Sequence, residues 1–176
     1  PNEIVVPMSD PAKRGKLSAR INYGSITVKG TARKDVLVKY TAAQDEEDKK
    51  QSTKDGLRKI SGGGMELEVV EDANVVKVTS DSWNNKLDLE IEVPTGMDLE
   101  VKTYNDGDLM ITNIQGEVEL TNYNGEITAL NISGSVVATT FNGGIKVTFN
   151  NVTAAAPMSY STFNGDIDIT FPATLK

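Results

Sequence analysis

From Leu109 onward, apolar and polar residues alternate with a two-residue period that glycine interrupts every nine residues. The glycines are Gly107, Gly116, Gly125, Gly134 and Gly143. Two residues after each stands an aliphatic side chain: Leu109, Val118, Ile127, Val136 and Ile145. Two further on lie Ile111, Leu120, Ala129, Ala138 and Val147. Apolar residues at i and i+2 line one face of a strand, and glycine accepts the backbone angles of a tight corner. Each unit is therefore predicted as a short strand, a corner and the next strand. The 3.6-residue apolar period of a helix is absent from this half.

The corners alternate in type, from Ile114 to Tyr123, Ile132 and Phe141, so the full period is close to eighteen residues. Tyr104-Asn105-Asp106-Gly107, Tyr123-Asn124-Gly125, Phe141-Asn142-Gly143 and Phe163-Asn164-Gly165 follow one another at spacings of 19, 18 and 22. The extra Asp106 accounts for the first spacing, and four residues inserted within 150–160 for the last. Successive coils would stack at about 4.8 Å, the strand spacing of a sheet. Tyr104, Tyr123, Phe141 and Phe163 then form one ladder, read as core from their register with Ile114 and Ile132. Asn124, Asn142 and Asn164 (with Asn105 or Asp106) form another, exchanging amide hydrogen bonds between rungs. The predicted fold is all-β, a single-stranded β-helix-like solenoid with coils of about eighteen residues and two short strands each.

The first hundred residues are β-rich but less regular. Alternation or β-branched content predicts strands at 4–6, 16–21, 26–28, 36–40, 65–70, 75–79, 87–93 and 99–103. Asn22-Tyr23-Gly24-Ser25-Ile26 loosely echoes the later corners. A polar stretch over 42–64, with Asp45-Glu46-Glu47-Asp48-Lys49-Lys50 and Ser61-Gly62-Gly63-Gly64, is expected as an exposed excursion. No linker separates the halves, so 1–176 is read as one domain, with 101–176 its regular part.

Composition narrows the chemistry. The chain holds no cysteine and no histidine, which removes thiol nucleophiles, His-based triads and zinc sites built on Cys or His. A net charge of −7 argues against nucleic acid as a partner. No apolar run nears the ~20 residues of a membrane helix. Beginning at Pro1, the chain reads as a processed or truncated product.

The NG-[DEG]-[IL] corners, the strand Leu89-Glu90-Ile91-Glu92-Val93-Pro94 leading into them, and Asn22-Tyr23-Gly24-Ser25-Ile26-Thr27-Val28 form a set. Over roughly residues 7–172 it resembles the bacterial "putative adhesin" domain family of cell-envelope proteins, whose function is unknown. The resemblance implies a right-handed β-solenoid, a periplasmic or cell-surface location behind a removed signal peptide, and no catalytic or cofactor residue.

Candidate chemistry is confined to the surface. Asp108, Glu126 and Asp166 follow equivalent glycines and form an outward file, with Gly144 interrupting it. Glu117 with Glu119, and Asp166 with Asp168, sit about 6.5–7 Å apart along a strand, a separation inverting glycosidases use. Such a pair needs a closed cleft to raise one pKa, and the pattern shows none. A calcium roll needs Asp two residues after glycine, where this chain has a buried aliphatic residue, so no metal site is assigned. Weak calcium binding between stacked carboxylates stays open. Trp83, in Ser82-Trp83-Asn84-Asn85, is an aromatic in a polar turn and a candidate for recognition. Ligand contacts are thus assigned to Trp83, Asp108, Glu126 and Asp166, with no catalytic residue and no cofactor.

The expected function is a non-catalytic envelope or surface protein that binds a glycan or a host or matrix surface protein. The alternatives are a scaffold that self-assembles into homo-oligomers through strand edges, and, more remotely, a carbohydrate-active enzyme.

Overall fold

A computed structural model describes residues 2–42, 50–54, 57–62 and 65–175. Sixteen strands form among them. They are β1 (Asn2–Pro7), β2 (Lys16–Ile21), β3 (Ile26–Thr31), β4 (Asp35–Ala42), β5 (Lys50–Lys54) and β6 (Leu57–Gly62). Then come β7 (Met65–Asp72), β8 (Val75–Ser80), β9 (Leu87–Pro94), β10 (Asp98–Lys102) and β11 (Leu109–Thr112). The last are β12 (Glu117–Thr121), β13 (Ile127–Thr139), β14 (Ile145–Val152), β15 (Ser159–Ser161) and β16 (Ile167–Thr170). Of the polar excursion, 43–49, 55–56 and 63–64 lie outside the described residues, while Ala42 ends β4 and β5 and β6 occupy the rest.

Alternation explains the strands one by one. In β9, Leu87, Leu89, Ile91 and Val93 are buried while Asp88 and Glu90 face water. In β12 the pattern is Val118 and Leu120 in, Glu117 and Glu119 out. Burying a branched aliphatic side chain contributes about 1.5–3 kcal/mol, so each such strand has one strongly preferred face. The inward residues of both halves meet in a single apolar cluster, running from Leu17 and Val28 through Ile91 and Val101 to Ile111, Ile132 and Val147.

The single-stranded β-solenoid expected from the repeat is not the architecture. The strands build a curled, mixed sheet that forms a half-barrel. Its order is β1-β4-β9-β3-β11-β13-β12-β10-β2-β8-β7-β6-β5, with β14 and β15 branching from β13 and β16 added on β14. The middle of the sheet is parallel, but β1–β4, β4–β9, β5–β6, β6–β7 and β7–β8 are antiparallel. Chain order and sheet order also part company, since β9 lies between β4 and β3, and β10 between β12 and β2. The right-handed coil expected with the solenoid is superseded along with it. Eighteen-residue spacing does appear locally, with Leu109 opposite Ile127 and Ile127 opposite Ile145. The periodicity predicted which faces are buried; it carried no information on the antiparallel strands that extend both ends of the sheet.

Strand β13 makes the curl. Its Ile127–Leu130 portion pairs with β11, and its Ser135–Thr139 portion with β12. Between them Asn131 takes a φ of 57°, and the register with β14 shifts at this point. Asparagine tolerates that left-handed angle better than other side-chain-bearing residues, so the strand can turn from one part of the sheet to the other. The inserted stretch within 150–160 is a turn, closed by the Ala156 N–H donating to the Thr153 carbonyl at 3.1 Å.

Candidate functional site

The connections β2–β3, β10–β11, β12–β13, β13–β14 and β15–β16 stack into one corner ridge. Backbone hydrogen bonds join its rungs: Asn124 N–H to Tyr104 O at 3.1 Å, Asn142 N–H to Tyr123 O at 2.8 Å, and Asn164 N–H to Phe141 O at 2.8 Å. Close approach is possible because glycine lines the seam. A Cβ on Gly143 would lie 2.1 Å from the Gly125 carbonyl oxygen, inside any permissible contact.

Beneath the ridge runs a polar series that pattern reasoning missed. Thr103 Oγ1 donates to Gly24 O at 2.7 Å, Asn122 Nδ2 to Gly107 O at 2.8 Å, Thr140 Oγ1 to Gly125 O at 3.0 Å and Thr162 Oγ1 to Gly143 O at 2.8 Å. Each donor is the residue just before the aromatic, and Thr103, Asn122 and Thr140 are buried. A Thr or Asn preceding every aromatic corner was the available signal.

Because that preceding residue takes the inward position, the aromatic points out. Tyr123, Phe141 and Phe163 are 50%, 38% and 73% exposed, whereas the intervening corners Ile114 and Ile132 are fully buried. The rings thus lie on the surface, against the core position expected for them. Tyr123 and Phe141 stack at 5.0 Å and 4°, and Phe141 and Phe163 at 4.8 Å and 3°. Tyr104 does not continue this stack. It packs at 6.1 Å and 45° against Trp83, which is 59% exposed. The amides run alongside: Asn142 Nδ2 donates to Asn124 Oδ1 at 2.8 Å, and Asn164 Nδ2 to Asn142 Oδ1 at 2.7 Å. At the Tyr104 corner Asp106 has a φ of 46° and accepts from Lys86 Nζ at 3.2 Å.

The candidate carboxylates are only partly gathered. Asp108 is engaged in the scaffold, its Oδ1 accepting from the Glu126 N–H at 2.8 Å. Glu126 and Asp166 line one shallow depression with Lys146 and Asp168, across Gly144. Trp83 borders a separate depression with Glu66 and Asp81. Glu117 and Glu119 line a third, with Asp98, Glu100 and Lys16. There the Lys102 and Lys16 ammonium groups, hydrogen-bonded to Glu100, hold its carboxyl below the usual range. Among the described residues, no group of three or more acidic side chains is placed to hold a metal ion.

No family model matches the chain, and no curated protein matches it. Among solved structures, a "putative cell adhesion protein" from Clostridium sporogenes is similar over 98% of this chain and 100% of its own, at a TM-score of 0.58 and 13% identity. At that identity the likeness is one of fold. A "putative adhesin" from Bacteroides fragilis aligns over 96% of both chains at 12% identity, with a TM-score of 0.28, which carries no argument. No helix among the described residues is long and apolar enough to cross a membrane.

Proposed function

We propose that the protein is a non-catalytic, adhesin-like binding module of the cell envelope or surface, and that the corner ridge is its contact face. One observation carries the reading: Tyr123, Phe141 and Phe163 are large, exposed and stacked in one file along the ridge. Contiguous exposed apolar surface is costly to a lone protein and marks interaction sites. Aromatic side chains also dominate binding energy at protein interfaces.

Ring orientation favours a surface protein over a glycan as the partner. Sugars stack on open ring faces, but Phe141 is covered on both faces by Tyr123 and Phe163. The middle ring thus offers only its edge, with an Asn file and carboxylates beside the stack for polar contacts. The full absence of Cys and His, and carboxylates spread over separate open depressions, support a binding role over an enzymatic one.

The test is binding of the purified protein to immobilised matrix proteins and glycans, with and without calcium, with the same wells checked for cleavage. Saturable binding to protein, lost in Phe141→Ser and Phe163→Ser, is the expected result. Cleavage of a glycan, or binding indifferent to both substitutions, would overturn the reading.

A second reading, self-assembly, has its own observation. Strand β16 is hydrogen-bonded to β14 alone, and Phe163, Ile167 and Phe171 around it are exposed. Sedimentation that depends on concentration, and that Ile167→Lys abolishes, would favour it.

A further inference from the structure

The turn from β1 to β2 walls a cleft of about 390 Å³ that the ridge does not involve. Its floor is apolar, made by the buried Met8 and Met97. Gly15 makes room for both thioethers, since a Cβ there would stand 2.6 Å from the Met8 methyl and 3.3 Å from that of Met97. Around the cleft stand Lys13, Arg14 and Lys34, and no carboxylate is among its lining residues. In a chain of net charge −7, this is a local reversal of sign.

The wall is built before any ligand arrives. Asn74, buried, accepts from the Asp10 N–H at 2.8 Å and donates through Nδ2 to Asp10 O at 2.7 Å. Glu71 accepts from the Ser9 N–H at 2.9 Å, the Ser9 hydroxyl at 2.8 Å and the Asn74 N–H at 2.9 Å. A turn held this way loses little freedom on binding, which removes one of the main costs of association.

Charge counting selects the ligand. Lys13 is paired with Asp10 and Arg14 with Asp98, while Lys34 is in no ion pair among the described residues. Three cations against two carboxylates leave a surplus of one positive charge. A dianion would carry one charge more than this surplus balances. We propose that the cleft binds a small organic monoanion, a carboxylate on a compact apolar body, with Lys34 taking the charge and the two methionines taking the body. Its size lies in the range of small-molecule sites, and methionine adapts to varied apolar shapes.

Benzoate is the probe, followed by NMR of labelled methionine methyls in the whole chain, which has five methionines. Saturable shifts at Met8 and Met97, with Met110 and Met158 unmoved, are the expected result. Lys34→Gln, a change at an exposed position, should weaken binding about tenfold, and neutral benzamide should bind weaker by a similar factor. Inorganic phosphate should not compete. The proposal is overturned if Met8 and Met97 stay unmoved at ~50 mM benzoate, a concentration that would reveal even a very weak site. It is equally overturned if Lys34→Gln titrates as the parent does, if benzamide binds as well as benzoate, or if phosphate displaces it.

Discussion

Thr140 Oγ1 donates a 3.0 Å hydrogen bond to the carbonyl of Gly125 in the neighbouring rung of the ridge. Through contacts of this kind a buried hydroxyl satisfies a backbone acceptor that strand pairing leaves free, and turns the next side chain, Phe141, outward. The stability of the ridge and the exposure of its aromatics have one cause.

Asn122 fills the same role less completely. Its Nδ2 reaches Gly107 O, but its buried Oδ1 has no partner. Threonine serves at the equivalent 103 and 140 positions and adds no second acceptor to bury. Asn122→Thr is therefore expected to leave stability unchanged or raise it by about 1 kcal/mol, whereas Asn122→Val should lower it by about 1–2 kcal/mol. Urea unfolding of the two variants decides this, and a Thr variant as unstable as the Val variant would refute it.

Adjacent glycines should respond differently to alanine. A Cβ on Gly143 meets the Gly125 carbonyl at 2.1 Å, and its φ is 150°; on Gly144 the nearest atom is Asp166 O at 3.4 Å. Gly143→Ala is expected to cost roughly 2–4 kcal/mol, and Gly144→Ala less than about 1 kcal/mol. Equal thermal shifts for the pair would contradict the geometry.

Within the aromatic file, Phe141 has a ring on both sides and Phe163 on one. Truncation to alanine should cost more at Phe141, by about 0.5–1.5 kcal/mol, the value of one aromatic contact. A double-mutant cycle with Tyr123→Ala should return coupling to Phe141 and none to Phe163.

Acid should loosen the β1–β2 turn. Burial raises the Glu71 carboxyl's pKa, but hydrogen bonds from the Ser9 hydroxyl, the Ser9 N–H and the Asn74 N–H outweigh it and hold the group below its usual 4.5. A depressed folded pKa means the unfolded chain binds more protons in that window. The contribution is thus full above the usual value and lost as pH falls through the folded one. Stability of the parent should converge on that of Glu71→Gln between about pH 5 and 3. A gap that stays constant over that range would show that Glu71 acts by packing alone.

Much of the local structure was legible. The two-residue alternation located buried faces in β9 through β14, because parity along a strand depends on the sequence alone. It failed at the aromatic corners, where Ile114 and Tyr123 occupy equivalent sites in the repeat but opposite sides of the backbone. The reason lies one residue upstream, in Asn122 and Thr140, whose polar groups found carbonyls to bond only once two rungs had stacked. Of the candidate carboxylates, Glu126 and Asp166 came to line one depression, Asp108 went to capping a backbone N–H, and Trp83 stayed apart beside Tyr104.

The sequence by itself determined the all-β class, the inward and outward faces of most strands, and where the Asn–Gly corners fall. These depend on side-chain polarity and backbone preference over a few residues. Only the tertiary structure decided which strands lie side by side, that antiparallel strands extend the parallel centre, and that β13 bends to curl the whole into a half-barrel. Strand edges offer the same hydrogen-bonding groups whatever the neighbour. The choice among neighbours is made by long-range packing, which no local pattern records. The cleft over Met8 and Met97 belongs to the same category: its walls come from residues more than eighty positions apart, brought together only when the sheet is complete.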